Sequence, residues 1–270
     1  MELEVFEEYA EGLRTFEEWI TTQAVLPQTQ NKLLLLRYLK VNNFNQEKAQ
    51  KLFYTNLKLR RKHSDVFTNR DIQSDELQSA LDAMHIISLL SHTAENYKVS
   101  IIHIADTDIR KFEPVQLLKL FCMLTDVRFM TADEDQLTEG EVIIIDFTKF
   151  GFRHFMKATA GLSYLCLFLK YVQEAAPFII RGIHLVNCSY LVSKLINLVR
   201  PFIKRELFDV IHFHTSGYDT LHQVISKDIL PFEYKGNAGN RDDIFDNWIE
   251  VVESHREYLN DDSNWKLLEC

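Results

Sequence analysis

Between Val142 and Gly239 apolar runs of strand length alternate with apolar runs of helix length, and few polar side chains are left over for chemistry. Val142–Phe147 reads as a strand, Arg153–Ala175 as one long helix apolar on nearly every side, Ile179–Val186 as a strand, Tyr190–Val199 as a helix and Val210–His214 as a short strand. Strands alternating with helices at this spacing predict an α/β fold with a mostly parallel sheet. The unbroken Ile143–Ile145 run predicts a strand covered on both faces. Upstream, Val99–Ala105 adds a β-branched strand, and Pro114 opens a helix to about Arg128.

Residues 1–96 read as helices. Val5, Tyr9, Leu13, Phe16 and Ile20 approximate a helical stripe up to the break at Pro27. The apolar run Asn31–Lys40 follows, then Phe44. Asn45 is placed to cap a second helix from Gln46 to about Lys62, and a third is expected over Asp75–Leu90. The tail after Gly239 is polar, with Phe245, Trp248 and Val252 available to dock on the body. The expected organisation is a helical unit over 1–96, a ligand-binding domain over 97–240 and a docking tail over 241–270.

The chain has 270 residues and a formal net charge of -9, with 46 % apolar residues. That acidity argues against nucleic acid as a partner, since a binder needs a basic footprint to displace counterions. Glutamates crowd the N-terminus, so no signal peptide is expected. The longest uncharged apolar run, Ala158–Leu169, is too short to span a bilayer. Cys122, Cys166, Cys188 and Cys270 are far apart; three lie in apolar runs, which predicts free thiols and a cytoplasmic setting.

Catalytic signatures are missing. No GxSxG elbow surrounds Ser163, Ser189 or Ser193, and no glycine-rich phosphate loop occurs. His212 and His214 share one strand face, a spacing that can serve zinc. With no third ligand placed, they read as packed, hydrogen-bonded residues, and His184 as a satisfied core histidine. Asp133–Asp135 reads as a solvated turn, lacking the alternating oxygens of a calcium loop. No cofactor, metal or enzymatic activity is expected. Lys58–Lys62 is either a solvated helix face or a membrane-docking patch. Leu162, Leu165, Phe168, Leu169 and Val172 follow helical spacing and serve either core packing or a cavity wall; the excess of Phe and Leu around so few strands favours the cavity. Thr159, Ser163 or Tyr164 would then orient a ligand.

Six features in order resemble the CRAL-TRIO lipid-binding family. They are Leu35–Lys40 with Phe44 and Lys48–Ala49; Ile145–Asp146 with Gly151–Phe152; Pro177; Gly182–Asn187; Arg200–Ile203; and Leu230–Tyr234 with Gly236. Arg181–Asn187 and Ile211–His214 are most similar to its tocopherol and retinaldehyde branch, including insect members. The resemblance implies a helical N-terminal unit and a mostly parallel sheet flooring an apolar cavity, closed by a helical lid over Asn187–Val210. Tyr190, Leu191, Leu195, Leu198 and Phe202 would form the lid's apolar face, and Lys194, Arg200, Lys204 and Arg205 a basic one.

The implied function is transfer of a retinoid, tocopherol, carotenoid or similar isoprenoid between membranes, with phospholipid or phosphoinositide transfer, or a lipid-sensing adaptor, as the alternative. Family position and strand register together give the lining as Phe121, Leu124, Ile143, Ile145, Phe152, Phe155, Leu165, Phe168, Leu169, Val172, Phe178, Ile180, Ile183, Val192, Leu195, Ile203 and Leu207. Inositol-lipid carriers hold an acid and a lysine where this chain has Phe178 and Val210, which argues against a phosphoinositide headgroup inside. Lys58, Arg60, Arg61, Arg181, Lys204 and Arg205 are the expected contacts to an anionic membrane. A monomer that touches membranes transiently is expected.

Overall fold

The computed structural model describes residues 2–28, 31–131, 137–215 and 217–268, with side chains from residue 9 onward. The Asp133–Asp135 turn, Cys270 and the side chain of Val5 lie outside the described residues.

Five helices come first: α1 (Glu2–Thr21), α2 (Lys32–Val41), α3 (Gln46–Lys62), α4 (Ser64–Phe67) and α5 (Asp75–Ala83). Asn45 caps α3 as expected, its side chain accepting from the backbone N–H of Lys48 (3.0 Å), and Asn31 caps α2 in the same way, accepting from Leu34 (3.1 Å). Phe53 of α3 meets Phe16 and Tyr38 edge-on at 5.7 and 5.1 Å, so aromatic packing locks α1, α2 and α3 together.

The helix expected over Asp75–Leu90 stops at Ala83. Met84–His92 is instead strand β1, antiparallel to β2 (Tyr97–Ile104), with Met84 opposite Ile104 and Ser88 opposite Ser100. Pairing with β2 and the β-branched Ile86–Ile87 pair override the local helical pattern. Then come α6 (Pro114–Met130), β3 (Gly140–Asp146), α7 (Phe152–Ala160), α8 (Leu162–Glu174), β4 (Ile180–Val186), α9 (Tyr190–Val199), α10 (Arg205–Phe208), β5 (Ile211–His214), α11 (Arg241–Ser254) and α12 (Arg256–Asn260). The single helix expected over Arg153–Ala175 is thus two. They part at Gly161, where a Cβ would come within 2.6 Å of the Pro114 ring, so the chain bends where a side chain does not fit.

The sheet order is β1-β2-β3-β4-β5, and every pair after the first is parallel. With right-handed crossovers, sequential order puts all connecting helices on one face. α6 to α10 accordingly roof the face that carries Ile102, Ile143, Ile183 and Ile211, here the roofed face. The opposite face is covered by the chain after β5. Tyr234 donates to Asp146 (3.2 Å), Thr220 bonds His214 (2.8 Å), and Phe245 of α11 stacks on His85 with centroids 3.7 Å apart. In this segment Phe245 and Val252 are buried and Trp248 is half-buried.

Arg60, expected at a membrane surface, is 2 % exposed. It forms a bidentate pair with Asp126 of α6 and lies over the rings of Phe67 and Trp265. Its membrane role is therefore withdrawn. Cys122, Cys166 and Cys188 are free thiols.

Candidate functional site

The two faces of the sheet differ in how well they are filled. Val99, Ile101, Ile144, His184 and Val186, on the face packed by the tail, are all buried. On the roofed face Ile102, Ile145, Ile183 and Ile211 remain half-accessible although helices stand over them. Ile143 and Leu185, also on the roofed face, are buried yet belong to neither of the two apolar clusters found among the described residues. The main cluster runs through α1–α6 and the tail-packed face, and also takes in Tyr171 and Val172 of α8 and Val192 and Leu195 of α9. A separate small cluster joins Leu169 of α8 to Val199, Ile203 and Leu207 of the Asn187–Val210 segment. Close-packed interiors leave no such seam between sheet and helices without a reason.

A pocket opens in this seam, lined by Ile86, Ser88, Ser100, Ile102, Phe121, Leu124, Thr125, Arg128, Phe129, Glu141, Ile143, Phe178 and Trp248. It offers about 40 Å³ to the centre of a water-sized sphere. That is room for a few waters, whereas a drug-sized ligand needs roughly 300–1,000 Å³. Arg128 and Glu141 face each other across it at 3.4 Å, both buried. A second, half-polar cleft of about 360 Å³ shares Glu141 and Phe178 with the first and is lined by Arg37, Lys40 and Arg181 among others.

Of the seventeen expected lining residues, Phe121, Leu124, Ile143 and Phe178 line the pocket. Leu165, Phe168, Leu169, Ile180, Ile183, Ile203 and Leu207 gather in or against the small cluster, and Ile145 lies half-buried on the roofed sheet face. Phe155, Val172, Val192 and Leu195 pack in the main cluster. Phe152 is 65 % exposed and points away, a correction forced by its place at the first turn of α7. Missed were Ile86 and Ser88, hidden by the helical reading of β1, and the Arg128–Glu141 pair. The polar side chains expected to orient a ligand are engaged elsewhere or exposed: Tyr164 packs against the main cluster, Thr159 bonds the Phe155 carbonyl, and Ser163 faces solvent. Ser88, Ser100 and Thr125 occupy the pocket wall instead.

The lid segment presents apolar groups on both sides rather than on the one face expected. Val192, Leu195, Val199, Ile203 and Leu207 point inward, while Tyr190 (73 % exposed), Leu198 and Phe202 (50 %) point outward. The Lys194 ammonium sits 4.8 Å above the Tyr190 ring. Phe152 and Met156, one turn apart on α7, are exposed beside α9. Several of the basic residues expected at the membrane already have partners. Lys204 pairs with Glu174 (2.9 Å) and Arg205 with Asp209 (3.5 Å). Arg181 donates to the Glu139 carbonyl (3.2 Å), and Lys58 and Arg61 lie exposed on α3.

His184 Nδ1 and His214 Nε2 are 2.9 Å apart, and His212 stacks on His184. The expected reading as packed, hydrogen-bonded histidines holds for His184 and His214; His212 is exposed. Burial, then the neighbouring histidines, push the His184 imidazole down to about 4, so it stays neutral. No helix among the described residues is long and apolar enough to cross a membrane.

A sequence profile of the CRAL/TRIO domain matches residues 82–236, and one described as "Pinta-like, UBA domain" matches residues 5–77. The chain is 27 % identical over 233 residues to Clavesin-2 of Rattus norvegicus and of Homo sapiens, covering 86 % of this chain and 69 % of each relative. It is 27 % identical to Clavesin-1 of Xenopus laevis over 204 residues, 75 % of this chain and 60 % of that one. The crystal structure of Sfh5 superposes with a TM-score of 0.53 at 13 % identity, covering 95 % of this chain and 97 % of that one, a likeness in fold.

Proposed function

The chain belongs to the CRAL/TRIO family of lipid-binding and lipid-transfer proteins, and from that premise we propose that it carries a small apolar ligand, such as a retinoid, tocopherol, carotenoid or related isoprenoid, between membranes. The observation that carries this reading is the under-packed roofed face of the sheet. Ile145, Ile183 and Ile211 keep accessible surface there while the other face is filled. Covering such surface with a ligand yields about 25 cal/mol per Å², so ~300 Å² of apolar contact supplies ~7 kcal/mol before the costs of association.

The pocket is too small for such a guest in this conformation, so loading requires the lid to move. The small cluster of Leu169, Val199, Ile203 and Leu207 and the contacts that Val192 and Leu195 make with the main core are what must give way. The outward Tyr190, Leu198 and Phe202, with Phe152 and Met156 beside them, enter the lipid headgroup region while Lys194 and Arg200 meet anionic lipid. The protein then works at cytoplasmic membrane surfaces as a monomer, and binds its cargo without transforming it. We also read the chain as three parts: a helical unit, the lipid-binding body and the docking C-terminal segment.

One observation favours a second reading. The half-polar cleft bearing Arg37, Lys40 and Arg181 adjoins the apolar pocket at Phe178 and Glu141. An anionic amphiphile, a phospholipid among them, could lay its tail in one and its headgroup in the other. A transfer assay between donor and acceptor vesicles decides. Retinol or tocopherol moving faster than any phospholipid supports the first reading, and phospholipid alone moving supports the second.

A further inference from the structure

On the tail-packed face, His85 of β1 stands directly opposite His103 of β2, with ring centroids 5.0 Å apart and planes nearly perpendicular. His103 is 5 % exposed. Its Nδ1 lies 3.2 Å from the Ile104 carbonyl, which can only accept, so Nδ1 carries the proton and Nε2 keeps a lone pair. That Nε2 is buried with no hydrogen-bond partner, and so is His85 Nδ1. Two orphaned ring nitrogens in one spot are costly in a folded protein unless something is bound there. The first turn of α11 adds an acid. Asn240 caps the helix, Phe245 stacks on His85 at 3.7 Å, and Asp242 lies three residues before Phe245 on the same side. A ligand atom from each of His85, His103 and Asp242 lies within 4.8 Å of the other two.

We propose that His85, His103 and Asp242 bind a divalent transition metal of borderline softness, zinc foremost, which fastens α11 to the edge hairpin of the sheet. Two imidazoles and a carboxylate are a donor set suited to zinc, with water in the fourth position. The Ile104 carbonyl on His103 Nδ1 supplies the outer hydrogen bond that metal-bound histidines use to fix their tautomer. Zinc–ligand bonds of about 2.0–2.1 Å require the three groups to draw together. Asp242 is free to swing, being exposed; its present partner is Arg241, with Nε 3.2 Å from Oδ1. The metal takes that carboxylate over, and Asp246 offsets the nearby charges of Arg241 and Lys149.

Calorimetric titration of the whole protein with zinc chloride tests the site, with His212→Asn as control for the other histidine cluster. The expected result is one zinc per chain, a thermal midpoint that rises with zinc, and affinity lowered by at least about tenfold in Asp242→Asn and His85→Gln while His212→Asn binds unchanged. If His85→Gln does not fold, Asp242→Asn decides alone, since its side chain is on the surface. Absence of stoichiometric binding, binding untouched by Asp242→Asn, or binding abolished by His212→Asn would overturn the proposal.

Discussion

Arg60 and Asp126 hold each other in a two-pronged ion pair, Nη1 to Oδ2 at 2.8 Å and Nη2 to Oδ1 at 2.6 Å, with both side chains out of water. Arg70 joins the same carboxylate at 2.6 Å, and Trp265 covers both guanidinium groups. One aspartate on α6 thus answers for two buried cations, from α3 and from the segment before α5. Asp126→Asn leaves both cations short of a counter-charge, and a loss of about 3–5 kcal/mol is expected. Urea unfolding measures it; an unchanged midpoint would show that the pair contributes nothing.

Stability should fall on mild acidification. Burial and its histidine neighbours lower the His184 imidazole to about 4, well under the ~6.5 of an exposed histidine. Between those values the unfolded chain takes up a proton that the folded chain refuses, so stability is full above pH ~6.5 and drains away toward pH ~4. The urea midpoint should drop from about pH 7.5 to 5.5, above the range of ordinary carboxylates, and His184→Asn should make that drop shallower, with the other buried histidines supplying the remainder. An equal slope in both proteins would refute the assignment.

Gly236 has no room for a side chain. A Cβ there would sit 2.0 Å from the Leu230 carbonyl oxygen, inside the turn closed by Ala238 N–H donating to that same residue. Because the obstacle is backbone, Gly236→Ala should cost at least the upper end of the roughly 1–3 kcal/mol typical of overpacking. Calorimetric melting checks this, and a melting point equal to the parent's would contradict it.

Much of this architecture is readable from residue types alone, and the failures have identifiable causes. Asn45 announces its helix because capping is local chemistry. The Ile143–Ile145 run marks a covered strand because burial on both faces removes alternation. Met84–Leu90 looked helical because its strand character comes from a partner fifteen or so residues later. The break at Gly161 depends on Pro114, far away in the chain. The lid was misjudged for a related reason: periodicity groups residues by face but does not say which face meets the sheet. Periodicity therefore groups Tyr190 with Leu195, although one is exposed and the other buried. Arg60 lies in a basic run, and its tertiary contacts, with Asp126 foremost and the rings of Phe67 and Trp265 beside it, distinguish it from Arg61.

The outward aromatics of the lid and α7 should govern membrane contact. Phe152→Glu and Phe202→Glu remove apolar groups worth about 1.5–3 kcal/mol each when fully buried in lipid, so co-sedimentation with anionic vesicles should weaken at least about tenfold per change. Folding stability should move by no more than about 0.5 kcal/mol, since neither side chain is in the core. Undiminished binding would place the membrane contact elsewhere.

The central claim is that the seam between the sheet and α6–α10 opens to enclose an oily guest. Native mass spectrometry of the protein after exposure to mixed lipid vesicles tests it most directly. The prediction is one apolar molecule per chain, lost when Leu165 or Phe168 is changed to Asp while the fold persists. A protein that emerges empty from every lipid mixture, or variants that load as well as the parent, would contradict it.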